Sequence, residues 1–174
     1  MEPTPPLIVM GVSGSGKSTI GAALAAALRV EFIDGDDLHP TANKEKMAAG
    51  IPLTDEDRAP WLEIIAERIG AERAEDRSIV VACSALRRRY RDQLVSHAPE
   101  TVFVHLAGDR ALIADRQANR QHEYMPPSLL DSQFATLEPL QEDERAVLVD
   151  PALTPEEIVR RVTESIGRPA GTSR

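Results

Sequence analysis

Gly11-Val12-Ser13-Gly14-Ser15-Gly16-Lys17-Ser18 matches the pattern G-x-x-x-x-G-K-[ST], and this stretch decides the fold. The apolar run Leu7-Ile8-Val9-Met10 precedes it and predicts a buried strand, while residues 17–28 carry apolar side chains at helical spacing. A strand, a glycine-rich turn and a helix in this order are typical of a phosphate-binding loop, or P-loop. In such a loop, backbone N–H groups and the positive end of the helix face phosphate oxygens.

The parts of this loop have expected tasks in binding ATP. Lys17 is predicted to reach the β- and γ-phosphates as a catalytic residue, and the Ser18 hydroxyl is predicted to bind Mg²⁺. The predicted ATP-binding residues are Gly11, Val12, Ser13, Gly14, Ser15, Gly16, Lys17, Ser18 and Thr19. A dinucleotide-binding loop is the weaker interpretation, because the pattern that starts at Gly14 has Thr19 in place of its third glycine.

Composition narrows the class of protein. The chain has 174 residues, enough for one domain with a buried core, and its net charge of −8 argues against nucleic acid or an anionic membrane as a partner. No apolar run approaches the roughly 18 residues that cross a bilayer, and the N-terminus lacks a signal-peptide pattern. We therefore expect a cytoplasmic enzyme. Cys83 lies in an apolar run and is expected to be a buried, inert thiol.

Apolar runs alternate with helical patterns along the chain. Continuous apolar strands separated by helices predict an α/β fold, with a five-stranded parallel sheet covered by helices on both faces in three layers. Strands are predicted at 7–10, 30–33, 79–83, 102–106 and 147–149, and helices at 17–28, 57–75, 86–97, 109–120 and 155–166. Ligands bind such sheets at the carboxyl ends of the strands, so functional groups are expected there.

The domain organisation follows from the same pattern. We expect a single domain over residues 7–167, with flexible ends at 1–6 and 168–174. Two polar stretches that contain prolines interrupt the alternation of strands and helices. They predict a substrate-binding insert at about 37–60 and a lid at about 116–138.

An acidic segment, Asp34-Gly35-Asp36-Asp37, follows the second predicted strand. In extended backbone, Asp34 and Asp36 point the same way, so both are expected to face the P-loop across the strand ends. One carboxylate would hold Mg²⁺ through water, and the other would accept a hydrogen bond from an attacking hydroxyl. The plain alternative is an acidic turn after a strand, and the P-loop upstream favours the functional interpretation.

Basic residues crowd the segment Cys83-Ser84-Ala85-Leu86-Arg87-Arg88-Arg89-Tyr90-Arg91. Ser84 is expected to be a helix N-cap, which places the arginines in the first helical turns, where the helix dipole disfavours cations. Such a conflict indicates an anionic ligand. Arg87 and Arg91, four residues apart, share a helical face and are the candidates; a solvated basic face is the alternative.

Four further cations are site candidates. Lys46 and Arg58 lie in the predicted insert, and Arg58 again occupies the first turn of a predicted helix. Arg116 and Arg120 stand four residues apart before the second proline-rich stretch. This placement is expected of lid arginines that close over ATP, with Arg120 as a catalytic residue on the transferred phosphoryl group. A solvated helix face is the alternative for the last pair.

The chain resembles gluconokinases of the small P-loop kinase type from about residue 7 to residue 150. Many unrelated ATPases share the P-loop, so four other segments make the resemblance specific. They are Asp34-Gly35-Asp36-Asp37-Leu38-His39-Pro40, Asn43-x-x-Lys46-Met47-x-x-Gly50-x-Pro52-Leu53-x-Asp55-x-Asp57-Arg58-x-Pro60-Trp61-Leu62, Cys83-Ser84-Ala85-Leu86-x-x-x-Tyr90-Arg91-Asp92 and Leu129-Leu130-x-Ser132-Gln133-Phe134-x-Thr136-Leu137-Glu138. Glu123 departs from the family, which commonly has histidine there, and we give His122 no catalytic role.

This resemblance implies transfer of the ATP γ-phosphoryl group to the 6-hydroxyl of D-gluconate, which gives 6-phosphogluconate. It also implies a fold like that of nucleoside monophosphate kinases, a requirement for Mg²⁺ and a homodimer. By the same resemblance, Asp36 meets the substrate hydroxyl as a catalytic residue, and Asp34 lies near Mg²⁺. The candidates for binding the gluconate carboxylate and hydroxyls are Asp36, Lys46, Arg58, Arg87 and Arg91.

Rival functions stay open at this point. The first is a P-loop kinase for another small acceptor, such as shikimate or a nucleotide. A second is a GTPase switch, but the guanine-reading Asn-Lys-x-Asp motif is absent, since Asn43-Lys44-Glu45-Lys46 ends in lysine. A third is an ATPase that binds nucleic acid, which the acidic net charge disfavours.

Overall fold

A wholly parallel five-stranded sheet, in the order β2-β3-β1-β4-β5, forms the centre of the molecule. The computed structural model describes residues 3–118 and 127–167. The strands are β1 Leu7–Met10, β2 Glu31–Asp34, β3 Ile79–Ala82, β4 Val102–Leu106 and β5 Ala146–Val149. The described helices are α1 Lys17–Leu28, α2 Thr41–Ala48, α3 Asp55–Ala74, α4 Arg88–Leu94, α5 Arg110–Ala118, α6 Pro127–Thr136 and α7 Pro155–Ile166, with a 3₁₀ helix at Gly35–Leu38.

Alternating side chains of the central strands fill two separate hydrophobic layers. Ile8 and Met10 of β1 pack with residues of α3 and α4, while Leu7 and Val9 of the same strand pack with residues of α1 and α7. All four β1 residues are buried, as are all four β3 residues. The sheet is therefore covered on both faces, and the three-layer α/β fold is confirmed.

Sequence periodicity locates most of the regular elements. All five predicted strands are present within one residue of the expected ends, and α1 and α7 span the predicted residues. Two helices, α2 and α6, lie inside the stretches expected to be the insert and the lid. The predicted lid, 116–138, contains the end of α5, residues 119–126 that lie outside the described chain, and α6.

The expected cap at Ser84 is wrong. Helix α4 begins at Arg88, after Arg87 in extended conformation, because Ala85 adopts a left-handed backbone with φ of 50°. That conformation cannot continue a helix, so the segment after β3 turns before α4 starts. The helix predicted over 86–97 shortens to Arg88–Leu94.

Arg91 holds this turn in place from the inside. Its guanidinium is 0% exposed and binds Glu144, with the Nε–Oε1 distance 2.7 Å and the Nη2–Oε2 distance 3.2 Å. Nη1 also donates to the carbonyls of Ala85 and Leu86, and Nη2 donates to that of Pro139. The structure thus corrects the prediction that Arg91 binds substrate, because each of its three guanidinium nitrogens already donates a hydrogen bond within the protein.

The structure also bears on two further expectations, the burial of Cys83 and the lack of a membrane-spanning segment. Cys83 is buried, and burial raises the pKa of its thiol to about 12, so the thiolate that reacts with oxidants is disfavoured. No helix in the described part of the chain combines the length and the apolar character needed to cross a membrane.

Replacing Arg91 with leucine is expected to destabilise the fold. The change removes the cation that binds the buried Glu144 carboxylate at 2.7 Å and leaves it the more distant Arg88, at 3.8 Å. Breaking a buried ion pair typically costs about 3–5 kcal/mol of unfolding free energy. Urea denaturation followed by circular dichroism measures the loss. Arg160→Leu removes an exposed arginine from α7 and is the matched control, expected to change stability by less than about 0.5 kcal/mol. Equal stability of the two variants would contradict the structural role of Arg91.

Candidate active site

The P-loop connects β1 to α1 at the carboxyl end of the sheet. Gly16 has φ of 96° and immediately precedes α1, a left-handed conformation that favours glycine. Helix α1 begins without a capping side chain and without an acidic residue in its first turn. The partial positive charge of this helix end is therefore directed at the cleft, where it suits an anion. The Lys17 ammonium group lies over the loop, with Nζ 3.1 Å from the carbonyl oxygen of Val12.

Asp34, the last residue of β2, joins the P-loop to the segment that follows β2. Its Oδ2 accepts a hydrogen bond from the Ser18 hydroxyl at 2.7 Å. Its Oδ1 accepts from the backbone N–H of Asp36 at 3.1 Å and caps the 3₁₀ helix. Gly35 lets this helix start directly against β3, because a Cβ there would lie 2.6 Å from the Ala82 carbonyl. One carboxylate thereby fixes the relative positions of two loops.

The Ser18 and Asp34 oxygens suit the predicted Mg²⁺ site. Magnesium prefers oxygen ligands and commonly uses one or two protein groups together with substrate phosphates and water. Within residues 3–118 and 127–167, no group of three or more His, Cys, Asp or Glu side chains forms a metal cage. A hydroxyl beside a carboxylate at a phosphate loop fits a cation that is shared with bound phosphates.

A cleft of about 410 Å³ brings the acidic segment and the P-loop together. Lys17, Ser18, Asp34 and Asp36 all line it, so the expected convergence at the strand ends is confirmed. The geometric reason differs from the expectation, since Asp36 lies in a 3₁₀ helix and not in extended backbone. The side chain of Asp36 is 83% exposed, as suits a carboxylate that meets a ligand.

A second cavity of about 400 Å³ lies at the opposite, amino ends of the strands. Two of its carboxylates pair with arginines. Glu72 binds Arg77 at 2.7 Å, and Glu31 binds Arg68 at 2.5 Å. This cavity contains no part of the P-loop, so we place the functional site in the first cleft.

The insert cations have different surroundings. Lys46 binds the carboxylate of Asp57 at 2.8 and 2.9 Å, and this hydrogen bond is the main reason that the pKa of Asp57 falls to about 2. The charge of Lys46 therefore serves to hold α2 against α3. Arg58 donates to the Leu53 carbonyl at 2.8 Å, and its guanidinium lies 5.6 Å from the centre of the Tyr90 ring.

Arg58 is close to the acidic segment through the packing of α3. It lies in the first turn of α3, one turn before Trp61, whose indole N–H donates to the Gly35 carbonyl at 2.7 Å. Its positive charge also lowers the pKa of His39, the residue that follows the 3₁₀ helix, although burial is the larger cause. Of the two predicted insert cations, Lys46 and Arg58, it is Arg58 whose charge acts on His39, next to the acidic segment.

Arg87 immediately precedes α4, and its side chain is half-buried. Its Nε is buried without a hydrogen-bond partner among the described residues. A buried guanidinium N–H without a partner is costly, which makes Arg87 a candidate for binding an anion. Arg116 donates a hydrogen bond to the Pro151 carbonyl and so ties α5 to the loop after β5. Arg120 lies outside the described residues.

Gln133 and Ser84 also line the cleft, although neither was among the predicted site residues. The side-chain oxygen of Gln133, on α6, accepts a hydrogen bond from the Ser13 N–H at 2.5 Å. Helix α6 is therefore joined to the P-loop itself. The segment around Gln133 is one of those that carry the family resemblance, and this was the sequence feature that could have marked Gln133 as a site residue. Its contact with a loop 120 residues earlier in the chain leaves no local pattern in the sequence.

Comparison with known proteins identifies relatives along most of the chain. A family model described as an AAA domain matches residues 7–140. A probable gluconokinase from Xenopus tropicalis is 44% identical, over 83% of this chain and 84% of the relative. The thermosensitive gluconokinase of Escherichia coli strain K12 is 46% identical, over 81% of this chain and 75% of the relative.

Solved structures give the same result for the fold. A gluconokinase from Sinorhizobium meliloti 1021 has a TM-score of 0.85 and 46% identity, covering 95% of this chain and 93% of that one. A shikimate kinase from Aquifex aeolicus has a TM-score of 0.57 and 15% identity, covering 92% of this chain and 95% of that one, and shares the fold alone. The P-loop kinase fold is thus confirmed.

Lys17→Ala is expected to weaken binding of ATP about tenfold or more without unfolding the protein. The change removes a charge-assisted hydrogen bond to phosphate, an interaction worth about 1.5–3 kcal/mol. Isothermal titration calorimetry with ATP and Mg²⁺ measures the affinity. Arg160→Ala, which removes a distant exposed cation, is the control for net charge. Unchanged affinity in Lys17→Ala would reject the assignment of this loop to phosphate binding.

Proposed function

The chain belongs to the gluconokinase family, and we propose that it transfers the ATP γ-phosphoryl group to the 6-hydroxyl of D-gluconate, giving 6-phospho-D-gluconate and ADP. The observation that carries the proposal is the cleft in which the P-loop meets Asp34 and Asp36, with the Ser18 hydroxyl 2.7 Å from the Asp34 carboxylate. This arrangement puts a triphosphate site beside an exposed carboxylate. Phosphoryl transfer to a small hydroxyl acceptor needs both.

The P-loop holds the nucleotide in this proposal. Its backbone N–H groups and the α1 N-terminus bind phosphate oxygens, and Lys17 swings from the Val12 carbonyl to the β- and γ-phosphates. Ser18 and Asp34 hold Mg²⁺, which neutralises negative charge on the phosphate oxygens when it is bound. Gly11 through Thr19 form the remaining contacts of the loop.

Asp36 orients the acceptor. Its exposed carboxylate accepts a hydrogen bond from the 6-hydroxyl and takes up the hydroxyl proton as the new phosphate ester forms. Positioning contributes more than basicity in this reaction, because the transition state for phosphoryl transfer is loose. The carboxylate therefore has to be held at the right place more than it has to be strongly basic.

Arg58 and Arg87 provide cations for the acid group of gluconate. Arg58 lies beside the acidic segment on α3, and Arg87 has a buried Nε without a partner among the described residues. A sugar acid needs such a cation, and a guanidinium binds a carboxylate through two parallel hydrogen bonds. Arg120, together with Arg116 of α5, closes over the triphosphate from the lid and stabilises charge on the transferred group.

The assembly and the cell compartment belong to the same proposal. We propose a cytoplasmic homodimer with a single kinase domain over residues 7–167, an insert at 37–60 and a lid at 116–138. The family resemblance supports the dimer, and the absence of a spanning helix in the described part of the chain is compatible with the compartment. Sedimentation velocity would measure the mass of the purified protein in solution.

A coupled assay tests the reaction and the acceptor together. Purified protein, ATP, Mg²⁺ and D-gluconate are expected to give NADPH when 6-phosphogluconate dehydrogenase and NADP⁺ are added. Lys17→Ala is expected to lower the signal at least about 100-fold, and Asp36→Asn to lower kcat by a similar factor while ATP still binds. Product formation from shikimate or a nucleotide, with none from gluconate, would reject gluconate as the acceptor and keep the kinase fold.

Arg58→Met is expected to raise the KM for D-gluconate about tenfold or more and to leave the KM for ATP unchanged. The substitution keeps an unbranched side chain and removes the guanidinium, which lies 5.6 Å from the centre of the Tyr90 ring. Initial rates at varied gluconate and varied ATP separate the two constants within one variant. A rise in both constants, or in that for ATP alone, would argue against a role of Arg58 in binding the acid group.

A further inference from the structure

His39 lies where the acidic segment meets the insert, and the proposed reaction gives it no role. The residue directly follows the 3₁₀ helix that carries Asp36. Its side chain is only 4% exposed. The His39 imidazole is therefore buried next to the proposed acceptor site.

Trp61 fixes the plane of the imidazole ring. The two rings stack with centroids 3.9 Å apart and planes inclined by 16°. Trp61 is itself held, because its indole N–H donates to the Gly35 carbonyl at 2.7 Å. Through Trp61, the His39 ring is thus tied to the same 3₁₀ helix from which Asp36 projects, and rotation of the ring would break the stack.

Asn43 fixes which ring nitrogen carries the proton. Its Nδ2 lies 2.9 Å from the Asp57 carbonyl oxygen, which only accepts, so this atom is the amide nitrogen. The same Nδ2 lies 3.2 Å from Nδ1 of His39. Since an amide nitrogen only donates, Nδ1 accepts and carries no proton. The proton of the neutral ring therefore sits on Nε2.

The protonated nitrogen of His39, Nε2, faces the Asp36 carboxylate. Nε2 of His39 lies 4.0 Å from Oδ1 of Asp36, whose side chain is 83% exposed and can turn toward it. Hydrogen bonds at catalytic groups are often long before substrate binds and shorten in the complex. We propose that His39 is a positioning residue, which uses its Nε2–H to hold the Asp36 carboxylate in the orientation that accepts the substrate hydroxyl. This inference rests on the proposed function, because it concerns the same carboxylate.

The charge state of His39 is consistent with this task. Burial lowers the pKa of His39, and the positive charges of Arg58 and Lys44 lower it further. The ring is consequently a neutral donor near pH 7. A neutral N–H orients a carboxylate without cancelling its charge, whereas an imidazolium would compete with the substrate proton for it.

A purely structural role makes the opposite prediction. If His39 only fills space against Trp61, phenylalanine is the better replacement, because it keeps an aromatic ring in the stack. If His39 positions Asp36, glutamine is the better replacement. Its amide nitrogen is separated from the backbone by as many bonds as Nε2 of histidine, and it retains an N–H donor.

The experiment compares His39→Phe and His39→Gln in the gluconate assay, with kcat and both KM values measured. We expect His39→Phe to lower kcat about tenfold with little change in the KM for ATP, and His39→Gln to stay within about threefold of the parent. In an Asp36→Asn background, His39→Phe is expected to cost no more than about twofold further, because the group it positions is gone. Equal losses in the two variants, the reverse ranking, or full additivity with Asp36→Asn would overturn the proposal.

A spectroscopic readout separates this inference from the function on which it rests. Nitrogen-15 NMR of histidine-labelled protein distinguishes the two neutral tautomers, and His39→Gln assigns the signal by its loss. We expect the Nε2–H form, with an Nε2 shift that changes in Asp36→Asn. Finding the Nδ1–H form, or a shift that ignores Asp36, would overturn the proposal even if gluconate is phosphorylated. Absence of turnover in the parent protein would reject the proposed function and leave this test intact.

Discussion

The carboxylate of Asp34 is the junction on which the geometry of the cleft depends. One oxygen accepts a hydrogen bond from the Ser18 hydroxyl at the start of α1, and the other accepts one from the backbone N–H of Asp36. The first contact sets the distance between the P-loop and the end of β2, and the second starts the 3₁₀ helix. Because β2 lies beyond β3 from β1 in the sheet, a side-chain contact is needed to bridge these loops. The Asp36 carboxylate is thus positioned relative to the P-loop by a single residue, Asp34.

The parallel sheet restricts where such chemistry can occur. Every residue of β1 and β3 is buried between two helical layers, so neither strand offers a polar side chain along its length. Functional groups are left to the segments just beyond the carboxyl ends, where α1 also directs its N-terminus. The arrangement puts oxygen ligands, backbone donors and a lysine within one cleft, while β1 and β3 carry no charged side chain.

Sequence patterns predicted the groups that depend on local order and missed those that depend on distant partners. The strands and α1 follow from apolar periodicity, and the P-loop from its spacing. Helix α2 was not predicted, because its one buried residue is the polar Asn43 and its sequence therefore has no amphipathic pattern. Arg91 was misassigned for a related reason. Its position four residues after Arg87 suggested a shared anion, but its actual partner, Glu144, lies 53 residues away and carries no local signal.

Hydrogen bonds join the two helices of the insert beside the acidic segment. Asp57 binds Lys46 through its side chain and Asn43 through its carbonyl, and the Asp57 and Thr54 side chains form a capping box at the start of α3. Helix α2 and the first turn of α3 are therefore joined before any ligand arrives. The same joint carries Arg58, Trp61 and, through Asn43, the His39 ring. The proposed cation for the acid group and the proposed donor to Asp36 are thus carried by one hydrogen-bonded unit. In the proposed reaction, this unit would select an acceptor by the distance between its acid and hydroxyl groups, with little ordering cost on binding.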